Sequence, residues 1–128
     1  MTKELRVSLP DRPGSLAKLA EALGSAGVNI ESLAASTAGG SGDIRVITAE
    51  PDKAKAALDQ AGIAVSGERE VVTLDLEHRP GSLATAARKL ADAGVNIDAV
   101  YVVGETSGKK RLALGVADAA KAKKALGL

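Results

Sequence analysis

Two hydrophobic periods alternate along this chain, and each marks a different element. In residues 3–9, KELRVSL, Leu5, Val7 and Leu9 fall on one side and Glu4, Arg6 and Ser8 on the other. That is the period of a half-buried strand. After DRPGS the period changes. Leu16, Leu19, Ala20 and Leu23 recur at i, i+3, i+4 and i+7, the apolar stripe of an amphipathic helix. Pro13 suits its first position, with Asp11 or Arg12 at the cap, and Gly27 suits its C-terminal end. Residues 28–37 then predict a strand, 39–43 a turn, and 44–50 a third strand. A second helix opens at Pro51 and closes at Gly62, and 63–69 predicts a short fourth strand. The order β-α-β-β-α-β predicts a ferredoxin-like α+β unit: a four-stranded antiparallel sheet with two helices on one face.

The pattern then starts again. RPGSL at 12–16 returns at 79–83, and GVNI at 27–30 returns at 94–97, both at an offset of 67. Residues 11–31 and 78–98 align without a gap at 13 identities in 21 positions. This is an internal duplication, and it sets the domain organisation. Residues 1–69 and 70–128 are therefore expected to form two units, although 128 residues would ordinarily suggest one. In the second unit 70–77 predicts a strand. Leu83, Ala86, Ala87 and Leu90 predict a helix. NIDAVYVV and KKRLALGV predict two strands, and a last helix is expected over about 117–126. A fourth strand is missing from this copy, so strand 70–77 is expected to have an open edge. Another chain, most simply a second copy, would pair with it.

Composition narrows the function. The formal net charge is +1 and Tyr101 is the sole aromatic residue. The first gives no strong field for nucleic acid or an acidic membrane, and the second leaves no stacking platform for single strands. Without cysteine there is no thiolate chemistry, disulfide or Cys-based zinc site. Nothing calls for a cofactor or a metal. No apolar run reaches the length of a membrane span. MTKELRVSL lacks the apolar centre of a secretion signal, so a cytoplasmic location is expected. The single histidine, His78, and the lack of an acid repeated in both loops make an enzyme a poor reading. GGSG at 39–42 lacks the ending of a phosphate loop and reads as a turn. Lys109, Lys110, Arg111, Lys121, Lys123 and Lys124 read as solvated faces.

DRPGSLAKLAEALGSAGVNIESL and its copy HRPGSLATAARKLADAGVNIDAVYV resemble the ACT domain, a regulatory module that binds small molecules. The likeness extends over nearly the whole chain, as in a free-standing tandem ACT protein. It implies amino-acid binding where two domains meet, in a homodimer that regulates an enzyme or a gene regulator. One wall would be the loop after the first strand: Asp11, Arg12, Pro13, Gly14, Ser15 and Leu16, with His78, Arg79, Pro80, Gly81, Ser82 and Leu83 in the copy. The other would be the start of the second strand in the neighbouring domain: Asn29 with Ile30, and Asn96 with Ile97.

Elementary chemistry is consistent with that assignment. Gly14 and Gly81 let a ligand approach the main chain. The N–H groups of Gly14, Ser15 and Leu16 open a helix and suit a carboxylate. Asn29 and Asn96 both donate and accept. The polar residue before Arg-Pro-Gly is Asp11 in one copy, fit for an ammonium, and His78 in the other, able to change charge near neutrality. The same residues also have plainer readings. The glycines could serve only the turn, the asparagines could cap the strand, and Asp11 could cap the helix. His78, Arg12 and Arg79 could be solvated, and Ser15 and Ser82 could bond to backbone. A dimerising subunit that has lost its ligand is the alternative function.

Overall fold

The computed structural model describes residues 1–128. Six strands and four helices follow the chain: β1 (Thr2–Pro10), α1 (Ser15–Ser25), β2 (Ser32–Ala38), β3 (Ser41–Ile47), α2 (Pro51–Gln60), β4 (Val65–Glu77), α3 (Ser82–Asp92), β5 (Ile97–Thr106), β6 (Lys109–Val116) and α4 (Ala119–Leu126). The chain divides into a first compact unit, Lys3–Arg69, and a second made of Met1–Thr2 with Glu70–Leu128.

In the first unit the strands lie in the order β2-β3-β1-β4, and β3 is antiparallel to both β1 and β2. Leu5, Val7 and Leu9 of β1 stand opposite Val46, Ile44 and Gly42 of β3. This apolar row meets Leu19 and Leu23 of α1 and Ala54, Ala57 and Leu58 of α2 in one core cluster. The alternation read from the sequence is thus the core-facing side of the sheet. Burying each leucine of this kind contributes roughly 1.5–3 kcal/mol. The opposite face is charged. Glu4 is fully buried there, with Oε1 2.9 Å from Arg45 Nη1 and 3.2 Å from Arg69 Nε.

The second unit orders its strands β4-β6-β5, with β6 antiparallel to both neighbours. Val72, Leu114 and Val116 pack with Leu90 of α3 and Ala122 of α4. Its bare face carries Asp75, which accepts from Arg111 Nε at 2.7 Å and from Nη2 at 3.1 Å. These hydrogen bonds, reinforced by the guanidinium charge, hold the Asp75 carboxyl below the usual aspartate range.

Several elements differ from the sequence reading. Instead of a strand at 63–69 and another at 70–77, β4 runs unbroken from Val65 to Glu77. No turn residue separates Arg69 from Val71, and Gly67 has no positive φ, so nothing there bends the chain. Helix α1 starts at Ser15 and not at Pro13. Its N-cap is Gly14, in the left-handed conformation at φ 91°, and no side chain caps it. Asp11 and Arg12 are therefore not capping residues. β2 starts at Ser32, which leaves Asn29 and Ile30 in the segment between α1 and β2.

Leu19→Ala should lower unfolding free energy by about 3 kcal/mol in urea titration, because a fully buried side chain is lost. Leu16→Ala, one turn earlier and 49% exposed, should change it by less than about 1 kcal/mol. The Asp75 ion pair gives a pH signature. A carboxyl lowered in the folded state stabilises it above the unfolded pKa and loses that contribution as pH falls through the folded value. Wild type should be more stable than Asp75→Asn at neutral pH, with the gap closing below the ordinary aspartate range in thermal melts.

Candidate functional site

The loop between β1 and α1 is built by four backbone hydrogen bonds. Asp11 N donates to Gly40 O at 3.0 Å, Arg12 N to Pro10 O at 3.0 Å, Ser15 N to Arg12 O at 3.3 Å, and Lys18 N to Gly14 O at 2.9 Å. The second unit repeats all four: His78 N to Gly108 O, Arg79 N to Glu77 O, Ser82 N to Arg79 O, and Thr85 N to Gly81 O, at 2.9–3.4 Å. Gly81 also repeats the left-handed N-cap, at φ 87°. A shared sequence has been kept as a shared backbone. A Cβ added at Gly14 or Gly81 would meet nothing within 4 Å. What these positions require is the positive φ, which costs other residues roughly 1–2 kcal/mol.

This conformation leaves the first turn of each helix without a side-chain cap. Of the three N–H groups expected to face a ligand, that of Ser15 is already directed at Arg12 O. The next positions, Leu16 and Leu83, are 49% and 47% exposed. They are the counterparts of each other in the repeat. Large apolar side chains exposed at matching places are more informative than scattered ones.

In the first unit the loop borders a cleft of about 320 Å³. Asp11, Arg12, Ser15 and Leu16 form its rim. Its floor is the helix-covered side of the sheet, with Ala35 and Thr37 of β2, Gly42 and Ile44 of β3 and Leu9 of β1, while Ser36 and Pro10, which alternate to the other face, line its edge. Gly42 stands opposite both Leu9 and Thr37. A glycine and short side chains at these registers keep the floor open. The rim offers one anionic and one cationic group, and the floor is largely apolar. No histidine, cysteine or lysine lines the cleft, and its ionisable groups are Asp11 and Arg12. No group of three or more His, Asp or Glu side chains is placed to hold a metal.

The structure gathers only part of the expected site. Asp11, Arg12, Ser15 and Leu16 line this cleft, whereas Pro13 and Gly14 shape the loop beside it. Asn29 and Ile30 do not line it. They follow α1, whose 11 residues span about 16 Å, and Asn29 is exposed. In the second unit His78, Arg79, Pro80 and Gly81 form the equivalent exposed loop, with Ser82 and Leu83 opening α3. Asn96 is exposed and Ile97 is the first residue of β5. The floor residues escape a reading of the sequence because GGSG has the composition of a turn. The usable signal is the run of small residues on both strands of that hairpin.

Residues 3–61 match the ACT domain family. They form an ACT domain. Protein BT0572 from Bacteroides thetaiotaomicron is similar over 99% of this chain and 88% of its own, at 26% identity and a TM-score of 0.89. The ligand-free regulatory subunit of aspartate kinase from Thermus thermophilus is similar over 98% of this chain and 91% of its own, at 18% identity and a TM-score of 0.72. The corresponding subunit from Thermus flavus gives 20% identity and a TM-score of 0.69, over 98% of this chain and 90% of its own. No curated protein matches the chain in sequence. The α+β fold of the chain is that of these aspartate kinase regulatory subunits. No helix is long and apolar enough to cross a membrane.

Gly14→Ala should lower stability by about 1–2 kcal/mol in chemical denaturation through φ alone. Gly14→Asn, which tolerates the left-handed region better, should recover much of that loss.

Proposed function

We propose that this chain is a non-catalytic regulatory protein of two ACT units that senses an amino acid. The observation that carries the reading is the cleft beside the Asp11–Leu16 loop. It sets a carboxylate and a guanidinium at the rim of an apolar floor. An amino acid presents the matching pattern: an ammonium for Asp11, a carboxylate for Arg12 and the uncapped helix start, and a side chain for the floor. Its volume of about 320 Å³ falls at the small end of ligand pockets.

Asn29 and Asn96 are proposed to complete such sites across a homodimer, each reaching a loop of a second copy. Their exposure and their distance along the helix from their own loop support this. Binding that links two chains couples occupancy to assembly, and through it to a regulated partner. Enzymes of amino-acid metabolism are the proposed partners, in line with the regulatory subunits that share the fold. A ligand-free interaction role is the second reading. Its support is the apolar surface of the second unit, where Val100, Val102 and Leu83 are all exposed.

Melting curves against each of the twenty amino acids at millimolar concentration test the proposal. Binding at about a hundred times Kd adds about 2.7 kcal/mol, a rise on the order of 10 °C for a chain of this size. The rise should be confined to one chemical group of amino acids. Asn29→Ala with Asn96→Ala should abolish it while leaving the unliganded melting point nearly unchanged, since both side chains are exposed. A rise that survives both substitutions removes the asparagines from the site. No rise with any amino acid favours the interaction role.

A further inference from the structure

Strand register allows the two copies to be compared place by place. In the first unit Gly42 lies opposite Leu9 and Thr37. In the second, Lys110 lies opposite Leu76 and Glu105. Lys110 therefore stands where Gly42 stands, and Glu105 where Thr37 stands, on the helix-covered side of the sheet. One pair further along, Ala35 opposite Ile44 becomes Val102 opposite Leu112. Gly42, Thr37 and Ala35 each give way to a larger residue, Ile44 to one of equal size, and two of these changes are from neutral to charged.

The new charges are engaged with each other. Lys110 Nζ lies 2.8 Å from Glu105 Oε2. The pair runs between β6 and β5 at the place that is open floor in the first unit. The hydrogen bond and the ammonium charge hold the Glu105 carboxyl below its usual range, so the pair stays ionised at neutral pH. A bulge between Val102 and Gly104 adds the extra residue that brings Glu105 opposite Lys110.

We infer that the two ACT units have diverged in ligand capacity. The Lys3–Arg69 unit takes an amino acid with an uncharged side chain, and the corresponding place in the second unit is filled by its own Lys110–Glu105 pair and Val102. This rests on the ligand-binding reading above and adds which unit binds and what sets the choice. Gly42 and Ala35 are the specificity-determining residues. The floor of Leu9, Ile44 and Ala35 offers no opposite charge to a ligand, and Thr37 only a hydroxyl, so cationic and anionic amino acids are rejected at the floor even though their backbone groups match the rim. The second unit, with its loop intact but its floor filled, contributes the matching loop conformation and its exposed apolar surface.

The probes are the uncharged L-amino acids at millimolar concentration, with L-lysine and L-glutamate for comparison, read by melting shift and by titration calorimetry on the full chain. Wild type should bind one uncharged amino acid per chain and neither charged one. Gly42→Lys copies the second unit's residue into the first, and it should weaken binding at least tenfold. A Cβ at Gly42 would lie 3.4 Å from Leu9 O and 3.7 Å from Ile44 Cδ1, so the backbone accommodates it. Ala35→Val gives an independent check, with the same loss expected if Gly42→Lys fails to fold. Lys110→Gly should leave the first site's affinity unchanged. Two ligands per chain, preferential binding of L-lysine or L-glutamate, or full affinity in both Gly42→Lys and Ala35→Val would overturn the inference while leaving amino-acid sensing intact. A wild-type chain that binds none of the probes overturns the sensing reading and this one together.

Discussion

Leu19 and Leu23 pin α1 to its sheet, and the shape of the loop side follows from where that anchoring begins. Both are fully buried, and the helix opens only at Ser15 because Gly14 turns left-handed just before it. Between those points lies a first turn that the sheet does not cover. Leu16 is exposed there, the helix start lacks a side-chain cap, and a cleft opens against the hairpin. The second unit obeys the same constraint, with Ala86 and Leu90 as anchors, Gly81 as the turning point and Leu83 as the exposed residue. A core that stops one turn short of the helix end is what leaves this first turn uncovered.

The helices are legible in the sequence because Leu16, Leu19, Ala20 and Leu23 carry a period that only a helix satisfies, and the duplication supplies a second sample of each element. The ACT resemblance rests on RPGSL and GVNI, and residues 3–61 match that family, while the helix cap expected at Asp11 or Arg12 falls to Gly14. What stays hidden depends on neighbours distant in the chain. Gly42 has the look of a turn residue until β3 is laid between β1 and β2, when it becomes the floor of a cleft. Lys110 has the look of a solvated charge until its register is set against that of Gly42. The division of 63–77 into two strands fails for a local reason. The duplication implies a boundary at residue 70, but the residues there, Arg69, Glu70 and Val71, have no turn chemistry, and the strand continues through.

The two copies have kept backbone geometry and changed chemistry. All four loop hydrogen bonds recur, as do the left-handed glycine and the helix anchors. The charged groups do not. The bare face of the first unit buries Glu4 between Arg45 and Arg69, while that of the second carries the more exposed Asp75–Arg111 pair. Breaking a buried pair by removing one partner is far more costly than losing an exposed one, so the first unit's bare face is the more tightly specified. Backbone constraints persist because a wrong φ or a missing leucine costs stability directly. The exposed floor positions Ala35 and Thr37 bear no such load, which leaves them open to divergence.

The proposed ligand site is the loop of the Lys3–Arg69 unit, with Gly42 beneath it. Amide chemical shifts of the labelled chain, followed during titration with the uncharged amino acids, address it residue by residue. The account predicts movement at Arg12, Gly14, Ser15 and Gly42, and little at Arg79, Gly81 and Lys110. Equal movement in both loops, or movement confined to the bare face around Glu4 and Arg45, would contradict it.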